Sequence, residues 1–509
     1  MNTKATHDFF MMIASRRLGF IVIPLVAVMF AADGASAAAY YMSPTGNDSN
    51  AGTLAAPWKT LDRLQKAQSI IRPGDTIYFR GGDYVFNNSS ARTYYTWSAT
   101  GTASTPIFYK NYPGEKPVIV GDRTIGPGGT MIYLQNYQTI DGLNFRETDA
   151  QRLAGGHRDD PNVRSSTNAW TALSTWATGI VVRNVTIQGF KLGMFYKGDK
   201  LLFENNRVSN TRSHRLYISG ANGIFRNNVL DGSYGYWNQQ GFQMQYVTAV
   251  GNKIYGNLIM EGKATGVVFS GRISYNEVFN NVFINPGNKP DSVNGPGTAV
   301  ATWCEDGPMG PGNKFYNNTL IGRSKNGLIG DPLTGKCAGV RPASQIEIRD
   351  NIFYPSTPVR VGLSTHSFPN IHGNIFYNIS GSAPAGNRLI NPQLVNPLGL
   401  NADSAKLLSN SPAIGAESGT SPSEDFAGVK RPIGGASDVG AFEYGGSTPP
   451  PPPGTLTDLN GDGITNVADV QITVNQAVGA ATCAAGDVNK DGTCNVADVQ
   501  IVVNKSLGL

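Results

Sequence analysis

The chain has 509 residues, 61 of them glycine, and 10% of its residues are aromatic. That length can hold a large core and more than one domain, and the composition suits a turn-rich β protein. The formal charge of +5 is uneven, because residues 38–454 carry a net charge of +8 and residues 455–509 a net charge of −4. A basic body with an acidic tail is compatible with an anionic substrate. No nucleic-acid-binding motif is present in the sequence.

The N-terminus has the pattern of a secretory signal peptide. Lys4, Arg16 and Arg17 precede an apolar run from Leu18 to Phe30, and the small residues ASAAA follow near position 37. Thirteen apolar residues are few for a bilayer span, so a signal peptide over residues 1–38 is predicted. We expect a secreted, extracellular or cell-surface protein without a membrane segment after cleavage; an uncleaved anchor is the alternative.

The next stretch predicts a short helix between two strands. Five residues fall at helical spacing, and four of them are apolar. They are Trp58, Leu61, Leu64, Gln68 and Ile71. One face of this helix can therefore cover the end of a core, as the caps of solenoid proteins do.

One short phrase, an asparagine followed by apolar and β-branched residues, recurs through the middle of the chain. Its asparagines are Asn184, Asn206, Asn228, Asn257, Asn281, Asn318, Asn351 and Asn374. The steps between them are 22, 22, 29, 24, 37, 33 and 23 residues. A minimum near 22 with occasional excess is typical of one solenoid turn plus loop insertions, and no unit has the long apolar run of a crossover helix.

The repeated asparagine predicts a bend at which successive turns stack. Asparagine tolerates the left-handed backbone region, and its amide can bond a neighbour. Since stacked strands repeat every ~4.8 Å, equivalent asparagines can form a ladder of hydrogen bonds. We predict this arrangement for residues 139–380. A β-sandwich or propeller is the alternative, but its strands would not keep one phrase at each step.

A long insert, Arg146 to Thr178, interrupts the repeat soon after the phrase TIDGLNF. A polar and aromatic loop of this length within a solenoid is either functional or disordered. It contains Arg152, His157, Arg158, Asp159, Asp160, Arg164, Trp170 and Trp176.

Phrases at both ends of this region resemble those of secreted bacterial parallel β-helix proteins, a group that includes many polysaccharide lyases. They are SPTGNDSNAGT, PWKTL and PGDTIYFRGGDY near the start, and SPAIGAE and DVGAFEY near the end. The resemblance covers most of residues 39–444 and implies an all-β, right-handed parallel β-helix domain with a helical N-terminal cap.

A linker over residues 445–454, with five consecutive prolines, separates this domain from a tail over residues 455–509. The tail contains two similar sequences that start 29 residues apart. In both, oxygen donors occupy loop positions 1, 3, 5, 7, 9 and 12 and glycine occupies position 6, which predicts two Ca²⁺ sites. The donors are Asp458, Asn460, Asp462, Ile464 (carbonyl), Asn466 and Asp469, then Asp487, Asn489, Asp491, Thr493 (carbonyl), Asn495 and Asp498.

The tail resembles a type I dockerin, because aspartate stands at position 12 and one helix follows each loop. That resemblance implies a cohesin-like partner as well as Ca²⁺. Dockerins often have Ser or Thr at positions 10 and 11, where this chain has Val467, Ala468, Val496 and Ala497. The module could therefore bind another partner or only stabilise the C-terminus. Of the three pairings that four cysteines allow, the simplest joins Cys304 to Cys337 and Cys483 to Cys494.

Three segments, RSHR, DGSYGYWNQQ and MEGKAT, precede expected strands at residues 216–219, 242–245 and 267–270. In a β-helix these segments are neighbours along one edge of a sheet, where loops can form a groove for a polymer. The side chains they offer are His214, Arg215, Tyr234, Tyr236, Trp237, Gln239, Glu261 and Lys263, with Arg272 just after the third strand.

These residue types suit the cleavage of an acidic, uronate-containing polysaccharide by β-elimination. Lys263 is the expected base, and Arg215 or Arg272 the cation that neutralises the substrate carboxylate. We expect substrate contacts from His214, Tyr236, Trp237, Gln239 and Glu261. A glycoside hydrolase would need two carboxylates, for which Glu261 and Asp231 are candidates. A non-catalytic carbohydrate-binding or adhesin-type β-helix is the third hypothesis.

Overall fold

A computed structural model gives the structure of the protein. It describes residues 37–86, 95–121, 130–147, 171–211, 213–232, 240–262, 264–288, 297–303, 306–330, 346–362, 370–445, 457, 459, 465, 467–489 and 492–507. The predicted signal peptide lies almost wholly outside these residues. Among the helices described, none is both long and apolar enough to cross a membrane.

The chain winds into a solenoid whose turns contribute strands to three parallel sheets. In the described residues, sheet 1 consists of β1 (Ala39–Met42), β2 (Thr76–Phe79), β5 (Ile107–Asn111), β8 (Gln138–Asp141), β11 (Val181–Arg183), β14 (Leu202–Glu204), β17 (Ile224–Arg226), β20 (Lys253–Tyr255), β23 (Glu277–Phe279), β26 (Asn313–Tyr316), β29 (Ile346–Arg349) and β31 (Ile371–His372).

Sheet 2 follows sheet 1 in each turn. Its described strands are β3 (Gly82–Phe86), β6 (Pro117–Gly121), β9 (Asn144–Glu147), β12 (Thr186–Gln188), β15 (Arg207–Ser209), β18 (Val229–Asp231), β21 (Leu258–Met260), β24 (Val282–Ile284), β27 (Thr319–Gly322), β30 (Ile352–Pro355), β32 (Ile375–Phe376) and β33 (Arg388–Leu389).

Sheet 3 completes each turn and has the longest strands. Those described are β4 (Tyr95–Trp97), β7 (Thr130–Leu134), β10 (Thr171–Thr175), β13 (Leu192–Tyr196), β16 (Leu216–Ile218), β19 (Gln240–Gln245), β22 (Thr265–Ser270), β25 (Thr298–Trp303) and β28 (Gly327–Gly330). The solenoid thus begins well before residue 139, where the repeat becomes recognisable in the sequence. The end of the predicted insert is a strand, β10, whose polar Ser174 and Thr175 are hydrogen-bonded and fully buried.

The bend between sheets 1 and 2 has the predicted asparagine ladder. The side-chain oxygen of each asparagine accepts from the backbone N–H of the ladder residue in the previous turn, through the series Asn206, Asn228, Asn257, Asn281, Asn318, Asn351, Asn374 and Asn387. From Asn228 to Asn374, the side-chain amide also donates to the side-chain oxygen of the next asparagine. The residue before each bend has left-handed backbone angles, as at Asn205 (φ 55°) and Asn280 (φ 50°). The prediction of stacked asparagines is confirmed.

One member of the predicted series was placed wrongly. Asn184 occupies the left-handed position (φ 56°), so Val185 stands at the ladder position, and the Asn184 amide donates to Asp141 instead. A second ladder that the repeat did not reveal, formed by Asn252, Asn276 and Asn313, lies at the bend before sheet 1.

Replacing Asn257 with alanine is expected to destabilise the solenoid by about 3–5 kcal/mol. The Asn257 amide is 1% exposed, donates to the Phe225 and Tyr255 carbonyls and to Asn281, and accepts two bonds from Asn228. Alanine would leave buried partners unpaired, and urea unfolding of the full chain measures the loss. Asn144→Ala, which removes one bond to the Pro117 carbonyl (3.2 Å), is the control. An equal effect of both substitutions would contradict a stabilising ladder.

Inward-facing side chains form one continuous core, which is closed at its N-terminal end by helix α1 (Leu61–Ala67). Trp58, Leu61, Leu64 and Ile71 are at most 4% exposed, as the helical spacing predicted. The remaining member, Gln68, is also buried, and its side-chain oxygen accepts from the Tyr109 hydroxyl at 3.0 Å.

The segment after β33 covers the outer face of sheet 2 in its C-terminal half. It includes a 3-10 helix (Ala402–Ala405) and forms a second apolar core with residues such as Val282, Ile321 and Ile352. Arg431 stabilises the fold of this segment, because its guanidinium donates to the Asp438 and Gly440 carbonyls at 2.7 Å and pairs with Glu443 at 3.3 Å.

The tail contributes two helices, α2 (Val467–Ala477) and α3 (Val496–Leu507), which contact each other. Each begins two residues before the aspartate at loop position 12, so that Asp469 and Asp498 both lie in a first helical turn. One helix after each loop is what the duplicated sequence predicts.

Candidate functional site

The outer face of sheet 3 carries a row of aromatic side chains. Strand register aligns Tyr133 of β7, Ser174 of β10, Phe195 of β13 and Tyr217 of β16 on this face, while their neighbours on either side point into the core. Trp176 lies two residues beyond Ser174, on the same outer face.

These four aromatic residues, Tyr133, Trp176, Phe195 and Tyr217, form a continuous surface that we call the aromatic stripe. The Tyr133 and Trp176 rings are stacked at 4.9 Å, Trp176 and Phe195 meet edge to face at 5.9 Å, and Phe195 and Tyr217 at 5.2 Å. Trp176 is 51% exposed. Exposed rings along successive turns offer an apolar surface to the faces of sugar units in a polymer.

The stripe continues into a group of polar side chains, the polar patch, made of His214, Gln240, Gln243 and Gln245. The Tyr217 hydroxyl donates to the Gln245 side-chain oxygen, which also accepts from the Gln243 amide. The His214 ring lies 5.5 Å from the Tyr217 ring. Gln240 is fully buried, and neither amide atom of its side chain has a hydrogen-bond partner in the described structure. Such unpaired buried groups are uncommon and often accompany function.

His214 is neutral at physiological pH. Burial is the main cause, with smaller contributions from the charges of Arg215 and Lys191, and together they lower the pKa of His214 to about 3. A neutral imidazole beside Tyr217 can donate one hydrogen bond and accept another, but it cannot act as a cation toward a carboxylate at neutral pH.

Acidification should therefore destabilise the fold through His214. Its folded pKa lies below the ordinary value of about 6.5, so the unfolded chain takes up the proton first, and stability falls as the pH drops below about 6.5. At pH 5 the loss is about 2 kcal/mol, at 1.36 kcal/mol per pH unit. Urea midpoints at pH 7 and pH 5 measure it. His214→Gln should reduce this pH dependence, and His372→Gln, on the surface of sheet 1, should not. An undiminished dependence in His214→Gln would contradict the assignment.

Arg215 does not face the groove as the sequence suggested. It is 0% exposed and lies in the corner between sheets 2 and 3, where Nη2 donates to the Met260 and Glu261 carbonyls at 3.1 and 3.0 Å. Burial lowers its pKa to about 10, so it stays charged. A Cβ on Gly232 would lie 1.3 Å from Nη2, so only glycine leaves room for the guanidinium. Arg215 thus links turns rather than contacting a polymer.

The turns before β16, β19 and β22 are neighbours, as predicted. Arg215 donates its backbone N–H to the Gln240 carbonyl, and Gly232 donates to the Met260 carbonyl at 3.0 Å. Glu261 follows with left-handed backbone (φ 53°), and its carboxylate accepts from the Asn285 and Asn288 amides at 2.6 and 2.9 Å.

Both carboxylates considered for hydrolysis are held by protein partners. Glu261 is bound by the two asparagine amides, and Asp231 pairs with Arg207 at 2.7 Å. Neither is presented as an unengaged acid or base.

Arg272 lies at the opposite end of β22 from Glu261. The six residues of β22 span ~20 Å at ~3.3 Å each, so Arg272 and the edge before β22 cannot act on one sugar carboxylate. Arg272 instead approaches Asp306, with its backbone N–H 3.1 Å and Nε 3.9 Å from the two carboxylate oxygens.

Several predicted site residues lie outside the described residues. They are Tyr234, Tyr236, Trp237, Gln239 and Lys263 at the groove, Cys304 and Cys337, and the tail residues Asp458, Asn460, Asp462, Ile464, Asn466 and Asp491. Sequence reasoning missed Tyr133, Phe195 and Tyr217. Their signal was an aromatic residue inside each of the runs TMIYL, LGMFY and RLYIS, but only the register of the turns aligns them.

The second loop of the tail has features that suit Ca²⁺. Gly492, at position 6, has φ 90° and donates to Asp487 at position 1 (2.9 Å), which closes the loop. Asp498, at position 12, is fully buried and accepts from the backbone of Asn489 and Asn495. A disulfide joins Cys483 to Cys494. In the described residues no cluster of three His, Cys, Asp or Glu side chains is formed; two donors of this loop are asparagine amides and one a carbonyl.

Comparison with known proteins gives a consistent result. Residues 40–281 match the family model described as "Pel9A-like, right handed beta helix region". Pectate lyase PEL9 of Emericella nidulans is 39% identical over 90 residues, which are 18% of this chain and 20% of that protein. The matched stretch therefore spans a fifth of that relative.

Solved structures with a similar course of the chain include the following three. Pectate lyase Pel9A has a TM-score of 0.48 and 16% identity, covering 81% of this chain and 97% of that one. The complex of XylC with xylose has a TM-score of 0.49 and 11% identity, covering 80% of this chain and 98% of that one. A rhamnogalacturonan lyase has a TM-score of 0.46 and 14% identity, covering 73% of this chain and 95% of that one. The chain is a right-handed parallel β-helix with pectate lyase relatives.

Proposed function

We propose that this protein is a secreted polysaccharide lyase that cleaves an acidic, uronate-containing polymer by β-elimination. The aromatic stripe is the observation that carries the proposal, because four rings on successive turns of one outer face suit a chain of sugar rings. The stripe lies within the segment that matches the Pel9A-like family model. Since the curated relative is a pectate lyase, pectate is the first substrate to test.

The reaction removes the proton next to the uronate carboxylate, and the electron pair forms a carbon–carbon double bond as the glycosidic oxygen leaves. A base must take the proton, and a cation or Ca²⁺ on the carboxylate must stabilise the charge that develops. Lys263, in the turn before β22, is our candidate for the base. Arg215 supports this turn from inside, through the carbonyls of Met260 and Glu261, and we assign it a positioning role.

We further propose that the tail is a dockerin-like module that binds two Ca²⁺ ions and anchors the enzyme. The donor spacing in both loops, and the buried Asp498 that closes the second, support Ca²⁺ binding. A cohesin-like protein is the partner that the resemblance implies. The N-terminal pattern supports secretion, and the disulfide between Cys483 and Cys494 agrees with an oxidising compartment.

A panel of glycans tests the proposal. Pectate, alginate, chondroitin and a neutral glycan are incubated with the full chain, and unsaturated product is followed by ultraviolet absorbance beside an assay for reducing ends. We expect unsaturated product from an acidic glycan. Reducing ends without unsaturation would indicate a hydrolase, and binding without cleavage would indicate a carbohydrate-binding or adhesin-type β-helix.

A further inference from the structure

An open cavity of 540 Å³ lies beside the aromatic stripe, at the edge where the strands of sheet 3 end. Its lining includes Trp176, Thr178, Lys197, Asp199 and Ala221. Isolated parallel bridges align Thr178, Asp199 and Ala221 on three successive turns, so the floor is part of the rigid solenoid. The cavity is shallow and widely open to solvent, so it can hold one sugar unit of a polymer against its floor without enclosing it.

The two charged side chains of the cavity differ in how many hydrogen bonds and ion pairs they form within the protein. Asp199 accepts from the Asn222 amide at 2.7 Å and from the Thr178 hydroxyl at 3.4 Å, so its carboxylate is engaged. Lys197 is exposed, and its backbone N–H donates to the Thr175 carbonyl at 2.9 Å. Its ammonium forms no ion pair with any residue of the described structure. The cavity is therefore lined by an exposed lysine whose charge is not neutralised by an ion pair within the described residues.

Trp176 connects the cavity to the aromatic stripe. The indole stacks on Tyr133 and meets Phe195 edge on, and the half that these contacts leave exposed lines the cavity. Gly198, which also lines the cavity, packs directly on the preceding turn, because a Cβ there would lie 1.8 Å from the Ala177 carbonyl oxygen. A ligand in the cavity would contact an apolar wall and an ammonium together.

We propose that this cavity is a subsite for one uronate unit of the polymer, with Lys197 paired to the sugar carboxylate and Trp176 against the sugar ring. The proposal rests on the proposed function, since it names the subsite at which that polymer is held. Lys197 is a binding and specificity residue here, at the edge of sheet 3 opposite the turn that contains Lys263. A carboxylate suits this position because a charge-assisted hydrogen bond to ammonium is stronger than a bond to a neutral group.

Isothermal titration of the full chain with digalacturonate, and with its neutral dimethyl ester, tests the subsite. We expect Lys197→Ala to raise Kd for digalacturonate about tenfold, the equivalent of one charge-assisted bond, and to leave Kd for the ester unchanged. Lys197→Arg should retain most of the affinity. Trp176→Ala should weaken both ligands, because both place a sugar ring against the indole. Lys253→Ala, which removes an exposed lysine from sheet 1, is the control for charge.

The outcomes separate the subsite from the catalytic activity. Unchanged digalacturonate affinity in Lys197→Ala, or no measurable binding by the wild type, would overturn the subsite even if the wild type cleaves the polymer. An equal loss for the acid and the ester would also overturn the role of Lys197. The expected selectivity in a wild type that forms no unsaturated product would support the subsite and reject the lyase activity.

Discussion

Replacing Lys263 with alanine is expected to lower kcat on the acidic polymer by about 10²–10⁴-fold, the usual contribution of a general base. Affinity for the polymer should change little, because the base acts on the proton that moves in the transition state, whereas the aromatic surface binds the ground state as well. Steady-state rates of unsaturated product and direct titration of the polymer measure the two effects separately.

Two variants control for charge and for binding. Lys253→Ala removes a surface lysine from another sheet and should keep full activity. Trp237→Ala should chiefly weaken binding, if that ring contributes to the groove as the sequence predicts. Unchanged kinetics in Lys263→Ala, on a substrate that the wild type degrades, would place the base elsewhere. The insert from Arg146 to Thr178, with His157 and several charged residues, would then be the next candidate for the site.

Removing Ca²⁺ is expected to unfold the tail, which makes this the largest structural effect that we predict. Carboxylates gathered in one loop repel each other until a cation is bound, so the binding energy supports folding. The full chain should bind two Ca²⁺ per molecule in calorimetry. A chelator should remove the far-ultraviolet circular dichroism contributed by α2 and α3, helices of 11 and 12 residues.

Substitution at position 1 of both loops should reproduce the metal-free state. Asp458→Ala combined with Asp487→Ala is expected to abolish both sites, and each single variant should leave one. Asn504→Ala, which removes only the bond from Gln500 to its amide oxygen (2.7 Å), is the control within α3. A tail whose circular dichroism ignores both chelator and the double substitution would contradict Ca²⁺-coupled folding.

The cap and the asparagine bend were predictable because their causes are local. A helix needs one apolar face at helical spacing, which Trp58, Leu61, Leu64 and Ile71 supply within a short stretch. A bend needs a residue that tolerates left-handed angles, followed by an amide that can reach the next turn. The misplacement of Asn184 has the same origin, since two adjacent positions at the bend both favour asparagine, and one phrase cannot distinguish them.

The candidate site was harder to predict because it depends on register between distant turns. A shift of one residue moves a side chain from the outer face to the core. Arg215 adds a second difficulty, because it stands two residues before the outward Tyr217 and simple alternation would also turn it outward. Its row along sheet 3 instead lies at the corner with sheet 2, where a Cβ on Gly241 of the same row would lie 2.6 Å from the Ile259 side chain, so the row points inward. A polar tetrapeptide before a strand gave no sign that one of its arginines would be buried.

The sequence by itself determined the solenoid, its N-terminal cap, the asparagine bend and the donor pattern of the tail, because each depends on residues within one turn or one loop. Only the tertiary structure decided that Tyr133, Trp176, Phe195 and Tyr217 form one surface. It also decided that Arg215 is buried between sheets 2 and 3, and that Lys197 lines a cavity. The physical reason is that side-chain direction in a strand alternates with every residue, and the partners of a β-helix strand come from turns 20 or more residues away.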